Sequence, residues 1–134
     1  MNKREEPVRV LVVDDDVDFR VLLRVQLNLA PELEVVGIAG DGVEAIESVE
    51  EEEPDAIAMD LLMPRMNGFE AIEHIRRDHP DVGIVAYTAV AGNYAREQTD
   101  RLGVELVLKS GDQSELVRAL LRSVGRNNGH PRSA

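Results

Sequence analysis

The 134 residues include no cysteine and no tryptophan. Without thiols there can be no disulfide, no thiolate metal site and no cysteine nucleophile, and the absence fits a reducing compartment. Positive charge is also short: 15 Lys and Arg stand against 26 Asp and Glu, for a formal net charge of -11 and a pI near 4.6. Such a field repels phosphate backbones and anionic membranes, so direct contact with nucleic acid or lipid is not expected. No apolar run approaches the length needed to span a bilayer, and the opening MNKREEP is too charged for a signal peptide. The reading is of a soluble, cytoplasmic chain of a length that suits one domain.

What is present is a regular alternation of apolar runs and helical patterns. Strands are expected at Val8–Val13, Val35–Ala39, Ala56–Met59, Val82–Tyr87 and Val104–Leu108. Helices are expected at Asp18–Ala30, Val43 to about Glu53, Phe69 to about His79, Asn93–Leu102, and Asp112 to about Val124. Pro31 stops the first helix, and Asp112 with Glu115 has the spacing of a capping box for the last. Five β-α units in succession imply an α/β fold, a parallel five-stranded sheet with helices on both faces. A doubly wound, flavodoxin-like (βα)5 order of 2-1-3-4-5 puts a crevice beyond the carboxyl ends of strands one and three. Residues 1–7 read as an N-terminal extension, 8–124 as the domain, and 125–134 (GRNNGHPRSA) as a disordered polar tail.

The residues that follow the strands are the ones able to do chemistry. Asp14, Asp15 and Asp16 follow strand one, Asp60 follows three, Thr88 follows four and Lys109 follows five. Carboxylates packed at the mouth of an apolar strand repel one another, whereas a hard divalent cation such as Mg²⁺ seeks oxygen ligands in that arrangement. Asp60, with no acidic neighbour, can serve both as a ligand and as a carboxylate nucleophile. Mg²⁺, the Lys109 ammonium and the Thr88 hydroxyl together supply the positioning and charge neutralisation that phosphoryl transfer needs. Ala89 is small enough to leave a path to the carboxylate.

These residues and spacings resemble the receiver domain of two-component response regulators. The resemblance is carried by Asp14-Asp15, by PDAIAMDLLMPRMNGFEA around Asp60, by Thr88-Ala89 and by Lys109. Stretches such as VVGIAGDGVEAIE and LVLKS are most similar to receivers of the NarL/FixJ type, although no helix-turn-helix output domain follows here, so a stand-alone receiver is expected. The similarity implies that Asp60 is the phosphoacceptor. It further implies that Asp15 holds Mg²⁺ directly, Asp14 does so largely through water, and the backbone carbonyl of Leu62 is the remaining protein ligand. Thr88 would follow the phosphoryl group and Lys109 would pair with it. The donor would be a phosphohistidine on a sensor histidine kinase or phosphotransfer protein, and the output a phosphorylation-dependent protein-protein contact with a downstream partner, with a homodimer as one form it could take. Such a protein is not an enzyme in the ordinary sense: it catalyses its own phosphotransfer and loses the group slowly.

Each residue also has a plainer reading. Asp16 is best taken as the N-cap of the first helix. Met63, Pro64 and Gly68 shape a turn, Glu50–Glu53 is a solvated helix end, and His74 and His79 are surface residues. Arg118, Arg122 and Arg126 form a basic stripe that faces water. The rival enzyme reading is a haloacid dehalogenase-like phosphohydrolase using an aspartyl-phosphate intermediate. Asp14 and Asp16 match its DxD motif, but Asp18 stands where Thr or Val belongs, and Asp60 has no job in that scheme. A nucleotide- or flavin-binding domain would need a GxGxxG or similar phosphate loop after strand one, and none is there.

Two departures from the receiver pattern matter. Leu106 stands where receivers usually carry Tyr or Phe, so the aromatic half of the usual switch is missing and helix four with its preceding loop, which contains Tyr94, becomes the expected route to the surface. Ser110 follows Lys109 where many relatives have Pro, which makes a cis bond there unexpected. Leu62 and Val90 flank the path of attacking water, and neither can orient it. A long-lived phosphoaspartate is therefore expected; in the double variant Leu62→Asn, Val90→Glu its half-life, followed by intact mass after donor removal, should fall several-fold.

Overall fold

Strand residues alternate between two cores, one on each side of the sheet. In this computed structural model, which describes residues 6–63, 66–89, 92–109 and 113–125, the order is β1 (Val8–Val13), α1 (Val17–Asn28), β2 (Leu33–Ala39), α2 (Gly42–Glu52), β3 (Ala56–Met59), α3 (Gly68–Asp78), β4 (Gly83–Thr88), α4 (Asn93–Leu102), β5 (Glu105–Leu108) and α5 (Ser114–Ser123). Val8, Val10, Val12, Ala56, Ala58, Val85, Tyr87 and Val107 face Leu23 and Leu27 of α1 and Leu116, Ala119 and Leu120 of α5. Leu11, Val13, Ile57, Met59, Ile84 and Ala86 face Ala45 and Val49 of α2 and Ala71, Ile72 and Ile75 of α3. Strands buried on both faces account for the continuous apolar runs in the sequence.

All pairings are parallel and the order is β2-β1-β3-β4-β5, as expected from the alternation. The direction of winding reverses between β1 and β3, and there the crevice opens. Asp16, Asp41 and Asn67 cap α1, α2 and α3, each accepting a backbone N–H from the first turn. Asp16 is thus the N-cap that its position suggested.

The element boundaries differ from expectation in ways that have local causes. β2 begins at Leu33, whose backbone pairs with Val8 and whose side chain is buried. α1 stops at Asn28, short of Ala30, because the residue before Pro31 is biased out of the helical region, and the Asn28 side chain turns to accept the Val35 N–H at 2.8 Å. β4 extends through Thr88. α5 starts at Ser114 with Gln113 as N-cap and no side-chain cap bond. Glu115, one half of the expected capping box, has its carboxylate accepting from Arg118 and Arg122. Asp112 itself, like Pro64, Val90, Ser110, Arg126 and the rest of the expected tail beyond Gly125, lies outside the described residues.

The helix faces also hold a surprise. Besides its buried residues, α1 turns a second apolar row outward: Val17, Val21, Leu22, Val25 and Leu29 are between 49% and 79% exposed. Their spacing places them along one side of the helix.

α3 enters tightly against the loop after β3. A Cβ built on Gly68 would lie 2.3 Å from the Asp60 carbonyl oxygen and 2.7 Å from Leu61 Cα, both backbone atoms with no room to yield. Gly68→Ala should therefore destabilise the fold by about 1–3 kcal/mol in urea unfolding, as overpacking does elsewhere.

Candidate functional site

The ladder itself brings the acids together. Val13 pairs with Met59, and beyond the ends of the strands the Asp14 N–H donates to Ala39 O at 3.0 Å while the Asp60 N–H donates to Val13 O at 2.9 Å. Asp14 and Asp60 are therefore neighbours by register, and both are buried. Asp15 is exposed beside them, and oxygens of Asp14, Asp15 and Asp60 lie within 4.8 Å of one another. Three hard oxygen donors so close, without enough positive charge among them, match the donor chemistry of Mg²⁺.

Lys109 supplies the positive charge that the structure does provide. Its Nζ lies 2.6 Å from Asp14 Oδ2 and 3.5 Å from Asp60 Oδ2. Its backbone N–H donates to Thr88 O at 2.8 Å, so the ends of β4 and β5 are held together at the site. Thr88 is buried at the end of β4. The Leu62 N–H donates to Asp60 Oδ1 at 3.2 Å, while the Leu62 side chain is exposed. The structure thus gathers Asp14, Asp15, Asp60, Leu62, Thr88 and Lys109 at one end of the sheet, and it leaves Asp16, His74 and His79 to other work. His74 sits 3.5 Å from Asp78, and His79 2.9 Å from Glu50. Arg122 is not simply a solvated residue of a stripe: it bonds Glu105 on β5 as well as Glu115.

Burial pushes the Asp60 carboxyl above its ordinary value; the Leu62 N–H and the Lys109 charge pull it down, and Asp14 and Asp15 push it up again. For Lys109 burial works toward a lower value, but the hydrogen bond it donates to Asp14 and the charges of Asp60 and Asp14 outweigh it and raise the ammonium. One cation shared by two buried carboxylates leaves the acids under-neutralised.

Some members of this neighbourhood carried no signal in the sequence. Arg20 of α1 donates from Nη1 to the Asp14 carbonyl at 3.1 Å, and a Cβ on Gly40 would come within 2.5 Å of that nitrogen. Phe19 lies beneath Lys109, with Nζ 4.6 Å from the ring centroid, and Tyr87 packs on Phe19 at 6.1 Å between centroids. On the other flank Phe69 and Tyr94 meet edge to face at 5.7 Å.

The sequence profile described as "Response regulator receiver domain" matches residues 10–121. The chain belongs to this family. A protein-glutamate methylesterase/protein-glutamine glutaminase of Pyrococcus abyssi is 49% identical over 73 residues, 54% of this chain and 20% of that protein. Response regulator protein VraR of Staphylococcus saprophyticus is 33% identical over 118 residues, 87% of this chain and 56% of that protein. Among solved structures, a LuxR-family two-component response regulator from Aurantimonas superposes with a TM-score of 0.82 at 31% identity, covering 91% of this chain and 89% of that one. The chain spans about a fifth to a quarter of the length of the first methylesterase relatives it matches. As a receiver domain of the two-component type it has the fold and the acidic cluster of a phosphoryl acceptor, and such domains generally bind Mg²⁺ at an Asp cluster. The phosphohydrolase reading is not favoured; Asp16, which it needed, caps α1. Among the described residues no helix is long and apolar enough to cross a membrane.

The raised Asp60 carboxyl has a consequence for stability. Its charged form costs the fold free energy above the folded pKa, and the cost disappears below the ordinary value of 3.8, where both states are protonated. Without divalent cations at pH 7, Asp60→Asn should therefore be more stable than the parent, with a higher thermal midpoint. The advantage should shrink as the pH is lowered toward 3.8.

Proposed function

We propose that Asp60 accepts the phosphoryl group from a phosphohistidine on a sensor histidine kinase or phosphotransfer protein. The observation that carries this reading is the convergence of Asp14, Asp15 and Asp60 around one lysine at the sheet's switch point. A carboxylate oxygen of Asp60 attacks phosphorus and the P–N bond to the imidazole breaks. Its electron pair stays on the ring nitrogen, which takes up a proton, and the product is an acyl phosphate.

Asp15, Asp14, Asp60 and the Leu62 carbonyl are the groups suited to hold Mg²⁺. When bound, the cation neutralises the acids and the charge on the transferring group. Lys109 reaches the same space, and in its present place it screens Asp60 from Asp14. Thr88 offers its hydroxyl to a phosphoryl oxygen. The protein turns over no substrate of its own in this scheme; its product is its own modified surface.

The outward row of α1 supports a place for the donor. Val17 is one residue beyond the Asp14–Asp16 run, so a helical partner seated along Val17, Val21, Val25 and Leu29 would bring its histidine toward Asp60. Burial of such a row drives association without depending on charge. The modified domain then signals through a protein partner, and α4 with Tyr94 on the exposed side is the element offered to it.

Incubation with Mg²⁺ and a small-molecule phosphodonor should add one phosphoryl group to the intact mass of the parent and none to Asp60→Asn. Addition to both proteins, or failure of the parent to be labelled even by an active kinase, would sink the assignment.

A further inference from the structure

Lysine is a flexible side chain, and freezing it in one rotamer is opposed by conformational entropy. Lys109 is nevertheless placed within reach of two carboxylates at once, and its side chain is 18% exposed. The contacts around it form a closed ring. Asp14 Oδ1 accepts the Asp16 N–H at 2.9 Å, and Asp16 Oδ1 accepts the Phe19 N–H at 3.1 Å. The Phe19 ring lies 4.6 Å from Lys109 Nζ, and Nζ returns to Asp14 Oδ2 at 2.6 Å.

The orientation of Phe19 is fixed from a second side. Tyr87, buried in the strand beside Thr88, packs on the ring at an interplanar angle of 36°, and its hydroxyl donates to Gln113 Oε1 at 2.7 Å at the head of α5. The scaffold under the lysine therefore draws on α1, β4 and the start of α5.

A ring face attracts an ammonium without using any of its donors. A carbonyl or hydroxyl in the same place would accept one of the three N–H groups. With the ring as its seat, the ammonium keeps its donors for Asp14, Asp60 and an incoming phosphoryl oxygen. The seat also allows Nζ to pivot from Asp14 toward a group on Asp60 without leaving the ring.

We infer that Phe19, backed by Tyr87 and Gln113, is a positioning residue for Lys109 that holds the ammonium over the site while leaving its donors free for phosphoryl transfer. This rests on the reading of Asp60 as phosphoacceptor. The seat itself is a separate physical statement that can be checked without any transfer.

The test pairs two measurements on the full chain. In the first, NMR of the Lys109 ε-methylene protons should show an upfield ring-current shift in the parent and in Asp60→Asn, and an ordinary shift in Phe19→Leu. In the second, the initial rate of Asp60 labelling is followed against phosphodonor concentration at saturating Mg²⁺. Phe19→Leu should lower the maximal rate roughly threefold to tenfold, the size expected for loss of a partly desolvated cation-ring contact. Phe19→Tyr should restore the rate to within about twofold, and in a Lys109→Met background Phe19→Leu should have no further effect. An ordinary methylene shift in the parent overturns the inference, and so does an equal loss of rate with and without Lys109. If the parent shows the ring-current shift but is not labelled at Asp60, the seat stands and the phosphoacceptor assignment is what fails.

Discussion

Everything at the functional end of this domain follows from two carboxylates that the parallel ladder forces side by side. Val13 pairs with Met59, so the next residues, Asp14 and Asp60, meet at the point where the winding of the sheet reverses. Both are buried, and Asp15 adds a third charge at the rim. Such an arrangement is unfavourable unless positive charge arrives, and Lys109 meets only part of the demand. The fold thus holds a standing electrostatic deficit, and its chemistry is the use made of it. In the proposed reaction a divalent cation and a phosphoryl group would both enter a place where the charge and the hydrogen bonds are already arranged.

The two-core packing explains how that end is held firm. β1 contributes Val10 and Val12 to the side of α1 and α5, and Leu11 and Val13 to the side of α2 and α3. Each acid therefore stands on a strand gripped from both faces. Gly68 brings the backbone of α3 against the Asp60 carbonyl, so the start of α3 packs on the end of β3. The aromatic residues, only four in the chain, are divided into two pairs, Phe19 with Tyr87 and Phe69 with Tyr94, one on each flank of the site.

The strands and the placing of Asp14, Asp15, Asp60, Thr88 and Lys109 at their ends were legible because buried parallel strands read as continuous apolar runs, and the residue after each run is where a ligand must bind. Finer detail was not legible, for physical reasons. Periodicity shows that α1 has apolar faces but not which one meets the sheet, so nothing in the pattern tells that Val17, Val21, Val25 and Leu29 are exposed. Asp112 and Glu115 have capping-box spacing, yet the Glu115 carboxylate accepts from Arg118 and Arg122 further along α5, a competition that spacing alone does not rank. Lys109 was expected to pair with a phosphoryl group on Asp60; that its ammonium divides unequally between Asp14 at 2.6 Å and Asp60 at 3.5 Å is a detail the strand pattern does not give. Phe19 and Tyr87 looked like ordinary helix and strand residues, because nothing local tells that a ring will lie under an ammonium 90 residues away along the chain.

The outward row of α1 also bears on how such a domain discriminates in a crowded mixture. Its net charge of -11 governs what approaches, because a long-range field acts before contact and weakens with salt. In the proposed docking on α1 the valines and leucines would govern what stays, since dispersion and desolvation depend on the volume and shape of the facing side chains and are little affected by ionic strength. Selection among similar partners docked there would thus be steric. Exchanging a methyl group on either side can redirect a pairing that no change of charge or salt would disturb.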